Sequence, residues 1–448
     1  MTAGTESSNQ PATGVGIYPW YVVSVLMLAQ TFSFIDRMIM GLLVGPVRQA
    51  FDISDTQFSL LAGLAFAVFY AVMGLPLARI ADRSSRRVLI SVGIAVWSVM
   101  TALCGLAQGF WSLFLARVGV GVGEAALSPA AYSMITDYFP KKALAKAFSV
   151  YTLGVTLGSG IAYLVGGRVV QWVSTLGDIE VPIFGLMQGW QLTFLAVGLP
   201  GLLVAALMFT TVREPQRKGR ADDSAAQGVP IAEVLQFLRS RQRAILTHVL
   251  GMSIYIMIVF SLNIWGPAYF IRVFGYGPAE AGLTMGGVLM IGATSGLLLG
   301  GVLADKWYAR GQRDAYSRLI ILSAAAVVPF GVALGFVDSD VLGIACLTAA
   351  LFFAAFQGGI AGGVIQLMAP AEMRGQVVAL YFLTANLLGL GLGPTVVASI
   401  TDYVFMDDAA LGKSLALATA ILCPLAIVIM GSGLGAVRQA IEKAEQWG

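Results

Sequence analysis

Stretches of about 20 apolar residues recur from one end of this 448-residue chain to the other. Each is long enough as a helix to cross the hydrocarbon core of a bilayer. They fall near 20–43, 57–80, 88–107, 111–136, 145–171, 189–212, 244–270, 279–303, 317–337, 341–368, 376–400 and 413–436. Composition agrees: 58% of residues are hydrophobic and only 11% are charged, where soluble domains carry roughly 25% charged residues. A membrane-spanning barrel would show shorter, alternating segments, so the runs predict helices. The expected fold is an all-α membrane protein with twelve transmembrane helices.

The charges are distributed unevenly between the connecting loops. Arg79, Arg83, Arg86 and Arg87 follow span 2, Lys141, Lys142 and Lys146 follow span 4, and Lys306, Arg310, Arg313 and Arg318 follow span 8. A long basic stretch, from Arg213 to Arg243, follows span 6. The opposite loops carry Asp52, Asp55, Asp178, Glu180, Asp338, Asp340, Asp402, Asp407 and Asp408. The positive-inside rule then predicts that both termini lie in the cytoplasm, and a bacterial inner membrane is the expected location. MTAGTESSNQ has no basic n-region, so no cleaved signal peptide is expected. Cys104, Cys346 and Cys423 all fall within spans, which implies no disulfide framework.

The pattern is doubled. DISDTQFSLLAG (52–63), where Ser54 and Gln57 suggest a capping box, matches YGPAEAGLTMGG (276–287), a Pro-at-N1 start. ARIADRSSRR (78–87) matches GVLADKWYAR (301–310), which sets Asp82 against Asp305, and Pro140 and Tyr151 match Pro370 and Tyr381. We therefore expect a tail (1–19), a six-helix bundle (20–212), a cytoplasmic linker (213–243), a second six-helix bundle (244–437) and a tail (438–448). Within the linker, 231–243 is either a plain basic connection or a short interfacial helix with Ile231, Val234, Leu235 and Leu238 toward lipid.

Charges inside the spans are the candidates for function, because each is costly in lipid unless a cavity or a partner receives it. TFSFIDRMIMGLL (31–43) holds Asp36 and Arg37, which point about 100° apart on a helix and so address different partners. In span 4, Arg117, Gly121, Glu124 and Ser128 form one stripe. Counted from the outer helix ends, Asp36, Arg37 and Arg117 fall at similar depth, with Glu124 about two turns further in. A static buried ion network is the bland alternative. The second half offers only His248, Asn263, Gln357, Gln366 and Asn386 at mid-membrane, with His248 read as structural. Arg168 and Arg272 sit near outer helix ends, where they are expected to snorkel.

ARIADRSSRR resembles the cytoplasmic loop motif of the major facilitator superfamily, with Ala78 and Ser85 in place of two glycines. FIDR in span 1, together with RVGVGVGEAALSPAAYSMITDYF (117–139) and a glycine-rich span 5, is similar to the spinster family of that superfamily. The likeness is close over about the first 170 residues and includes WGPAYF (265–270) in the second half. Span 5 lacks the proline of the usual antiporter motif, whereas span 11 has Gly393-Pro394.

This resemblance implies two pseudo-symmetric six-helix bundles and a monomeric, proton-coupled secondary transporter for a lysolipid or sphingolipid-like amphiphile. A drug or small organic anion exporter and an uncoupled facilitator are the alternatives. The unequal environments expected of the two acids, one in an apolar helix and one beside Arg37, assign proton coupling to Glu124, as carrier, and Asp36, as fixed counter-charge. Substrate contact falls to Arg37, Arg117, Ser128, Trp265, Tyr269 and Phe356, and a gate to Asp82, Arg86 and Arg374. Membrane lipids, protons and an amphipathic small molecule are the expected partners, with no nucleic acid, no cofactor and no metal. No phosphate-binding loop, GxSxG elbow or HExxH motif occurs, and GVGVG (119–123) follows no strand. An ATP-driven pump and a dehydrogenase are thereby excluded. A membrane-embedded enzyme and a receptor on a transporter fold are the minor rivals.

Overall fold

The computed structural model describes residues 16–140, 143–182, 185–217, 231–370 and 373–444. Among them, eleven helices are long and apolar enough to cross a membrane. They are spans 1 (Ile17–Leu42), 2 (Asp55–Ala81), 3 (Arg86–Cys104), 4 (Phe110–Tyr138), 5 (Lys146–Thr175), 6 (Gly189–Thr211), 7 (Gln242–Phe274), 8 (Pro278–Ala309), 9 (Ala315–Ala333), 11 (Gln376–Phe405) and 12 (Asp408–Ala444). Span 10 comes in two pieces, Asp340–Ala354 and Gln357–Met368, because the helix breaks at Ala355-Phe356. Span 4 breaks at the corresponding place, between Glu124 and Leu127.

The doubling extends to local geometry. Ser54 caps span 2 with the reciprocal Gln57 bond, and Gly277 with Pro278 opens span 8. Each of these two spans then widens into a π-helical turn, at Leu60–Leu64 and Val288–Ala293. A π turn rotates the rest of the helix relative to its start, and such turns are often found at functional sites. Spans 1 to 6 pack mainly on one another, as do spans 7 to 12, while spans 5 with 8 and 2 with 11 join the halves. At the junction of spans 5 and 8 the backbones nearly touch. A Cβ on Gly282 would lie 2.3 Å from the Tyr163 carbonyl oxygen, so glycine is required there.

One loop end of the molecule is tied together across the halves. Asp55, fully buried, accepts two bonds from the Arg272 guanidinium (2.5 and 2.7 Å) and a third from Arg48 at 3.0 Å. Arg48 also pairs with Asp408 at 2.5 Å, and the Thr56 N–H donates to Asp402 at 2.7 Å. Arg272 therefore does not snorkel as expected, because a buried carboxylate from the other half lies within its reach. A short hairpin, Ile179–Val181 with Gly185–Met187, stands at this same end. At the opposite end lies the linker, where Ile231–Ser240 is helical, with Val234 buried and Leu235 half exposed. The Ile231 side chain lies outside the described residues.

Candidate functional site

Span 4 has to approach spans 2 and 3 closely to bring its polar stripe to the centre of the first half. A Cβ on Gly121 would meet the Phe66 carbonyl oxygen at 2.6 Å, and one on Gly123 would meet the Trp97 nitrogen at 2.7 Å. With those contacts made, Glu124 sits at the end of its helical segment, buried against span 1.

Arg37 closes on it. The Arg37 guanidinium donates from Nε to Glu124 Oε2 at 2.7 Å and from an Nη at 2.5 Å, and Ser33 Oγ donates to the same oxygen at 2.6 Å. The depth count from the helix ends leaves two turns between these residues, and side-chain direction removes the gap. Side chains lean toward the N-terminus of their own helix. Spans 1 and 4 run antiparallel, so Arg37 and Glu124 lean toward each other. By the same rule Asp36 and Arg117, at similar depth, lean apart. Asp36 accepts a bond from Thr101 Oγ1 at 3.0 Å, and its other carboxylate oxygen has no partner. Arg117, fully buried, donates from Nε to the Leu61 carbonyl at 3.4 Å, while neither terminal nitrogen is partnered.

Around Arg37 the wall is aromatic. Its guanidinium carbon lies 4.9 Å from the Phe34 ring centre, 4.5 Å from Phe66 and 4.9 Å from Tyr70. The side chain keeps 11% of its surface accessible, against none for Glu124. Such a cage stabilises a cation and offers flat apolar surface next to it. One wall therefore presents positive charge and apolar area together. Ser128 is near, with Oγ 3.4 Å from the Tyr151 hydroxyl, which donates to Gln30 Oε1 at 2.6 Å.

The candidates of the second half have partners of their own. Trp265 is buried and donates from Nε1 to the Pro394 carbonyl at 2.9 Å, and Tyr269 is buried and donates to the Leu334 carbonyl at 3.1 Å. Phe356 packs edge-on against Phe352 and at a tilt against Phe353. Each polar aromatic donates to a backbone acceptor within its own bundle, and the Trp265 ring also faces Phe58 of span 2, with 6.2 Å between ring centres. His248 likewise bonds to the Ala361 carbonyl, at 3.0 Å.

Of the gate candidates, Arg86 and Arg374 each bond within their own half. The Asp82 side chain lies outside the described residues. Arg86 is buried in the first half, bonded to Asp137 (2.5 Å), Ser133 (2.8 Å) and Glu214 (2.8 Å), and Arg374 donates to the Ala369 carbonyl at 2.9 Å. Sequence reasoning did not find Ser33, Thr101, Phe66 and Tyr70, since a hydroxyl or a ring in an apolar helix gives no signal until its neighbour is known. The Asp55 cluster was also missed, because an acid at a helix start already has a local explanation.

A family model described as the Major Facilitator Superfamily matches residues 26–394. An MFS-type efflux pump of Mycolicibacterium smegmatis is 29% identical over 410 residues, which is 90% of this chain and 89% of that protein. Protein spinster homolog 1 of Xenopus tropicalis is 24% identical over 86% of this chain and 73% of its own length. Among solved structures, an inward-facing, unoccupied bacterial homologue of the human lysosomal transporter Spinster is similar with a TM-score of 0.78. The two are 26% identical, over 97% of this chain and 99% of that one.

Proposed function

The chain belongs to the major facilitator superfamily, of the spinster type, and on that premise we propose that it is a proton-coupled secondary transporter of an amphipathic lysolipid or sphingolipid-like anion. One observation carries this reading: a partly accessible arginine, walled by three aromatic rings, is held by a fully buried carboxylate. An anionic head group docking on Arg37 takes the place of Glu124. A buried carboxylate that loses its cation is left with only the Ser33 hydroxyl, and protonation is then its cheapest state. Substrate occupancy and protonation are thereby linked through one guanidinium. Asp36, whose second oxygen is unpartnered, is the next acceptor for that proton. Arg117 and Ser128 extend the polar stripe, and Phe34, Phe66 and Tyr70 receive the apolar part.

The arrangement of the halves supports alternating access. Asp55, Arg272, Arg48 and Asp408 hold one end shut, and the likeness to an inward-facing structure supports reading that end as the outer one. The loop charges agree, with basic residues at the linker end. In a chain cleared of its native cysteines, Asp178→Cys should react with an impermeant thiol reagent added outside cells and Asp222→Cys should not. The reverse pattern overturns the orientation.

A second reading has its own support in the likeness to an efflux pump: export of a small organic anion or drug by the same machinery. Proteoliposomes with an imposed pH gradient separate the readings. The expected result is gradient-driven movement of a lysophospholipid, and Glu124→Gln should keep substrate binding while losing the response to the gradient. Movement of small organic anions alone favours the exporter. An unchanged gradient response in Glu124→Gln rejects this coupling site, and no response in the unaltered protein marks an uncoupled facilitator.

A further inference from the structure

The linker helix, the first turn of span 7 and the last turns of span 12 enclose a surface cavity of about 470 Å³. Arg239, Arg241, Arg243 and Lys443 line it, and no carboxylate does so among the described residues. Glu442, the acid next to Lys443, pairs with Arg438 at 2.9 Å. Four cations line one hollow, so an anion placed in it is attracted by all of them at once. The hollow is also built: Arg241 donates to the Ala440 carbonyl at 2.8 Å and Arg243 to the Ser432 carbonyl at 3.1 Å. These bonds hold both guanidinium groups at its rim.

Below the cations and Ser432 the surface turns apolar. On span 12, Lys443, Gln439 and Ala436 line the cavity, and the same helical face continues through Ser432 to Val428, Leu425 and Ile421. These last three are 67%, 44% and 53% exposed. On the adjoining face of span 7, Leu246 and Leu250 are 53% and 43% exposed below Arg243. The cluster stands where the spans end, which is the level of the lipid head groups. Basic pockets between transmembrane helices at that level suit phosphate-bearing lipids.

We propose that this cavity is a binding site for an anionic phospholipid, separate from the Arg37 site. Its phosphodiester sits among the four cations and its acyl chains lie along the exposed apolar residues of spans 7 and 12. The bound lipid ties the linker to the second half, joining the two elements that must keep their relation while the halves rock.

The full chain in detergent is titrated with phosphatidylglycerol, with phosphatidylcholine of the same acyl chains, and with inorganic phosphate, and read by native mass spectrometry and thermal unfolding. Phosphatidylglycerol should be retained in preference to phosphatidylcholine and should raise the unfolding temperature, whereas inorganic phosphate should do neither. The double variant Arg239→Gln/Lys443→Gln alters two exposed side chains. It should unfold at the original temperature without lipid and lose roughly thirtyfold of that preference. Arg37→Ala, in the other site, should retain it. Equal retention of both lipids, an unchanged preference in the double variant, or loss of it in Arg37→Ala overturns the proposal. Full stabilisation by inorganic phosphate overturns the lipid assignment.

Discussion

Arg37→Ala is expected to abolish transport of an anionic amphiphile while leaving binding of a neutral analogue far less affected. Two effects contribute, and a second variant separates them. Removing the guanidinium leaves Glu124 buried with only the Ser33 hydroxyl, and an unpaired buried charge costs about 3–5 kcal/mol unless it takes up a proton. The single variant should therefore unfold at lower temperature. Arg37→Ala/Glu124→Gln removes both charges and should recover much of that stability without recovering anion binding. Binding isotherms for the charged and neutral ligands, with melting curves for both variants, test this. Recovery of anion binding in the double variant would show that Arg37 supports the fold and does not contact substrate.

Asp55→Asn should open the tied end. Three charge-assisted contacts converge on that buried carboxylate, two from Arg272 in the opposite half and one from Arg48. An amide cannot accept them all and carries no charge, so Arg272 loses a cross-half partner that it has only while the end is closed. A loss of about 3 kcal/mol shifts a two-state equilibrium by more than a hundredfold. That is enough to invert the populations, because this contact exists in one state alone. Spin labels at positions 178 and 338, in the exposed loops of the two halves at that end, should move from a short to a long distance. Unchanged distances would mean that the helix packing of spans 2 with 11 and 5 with 8 holds the end shut by itself.

Much of this was legible in the chain before any coordinates. All twelve spans lie where the apolar runs place them, including the two-piece span 10. The doubling of Ser54-Gln57 with Gly277-Pro278 recurs in the helix starts themselves. Asp36, Arg37, Arg117 and Glu124 stood out for the same reason. Lipid makes hydropathy and the cost of a charge local quantities, readable one residue at a time.

Pairing is not local. Arg37 reaches Glu124 across 87 residues of chain, and Arg272 reaches Asp55 across 217. Counting turns gave the depths of Arg37 and Glu124 but not their meeting, which depends on how two antiparallel helices aim their side chains. That aim follows from helix rotation and tilt, set where backbones touch: Gly121 against Phe66, Gly123 against Trp97, Gly282 against Tyr163. The same packing decided that Trp265 and Tyr269 bond to the Pro394 and Leu334 carbonyls and that Arg86 binds Asp137 and Glu214. Sequence alone determined the membrane, the spans, the repeat and which charges had to be answered for. Tertiary structure decided which charge meets which, because a helix fixes the side on which a residue lies only relative to its own axis, and close packing between helices fixes that axis.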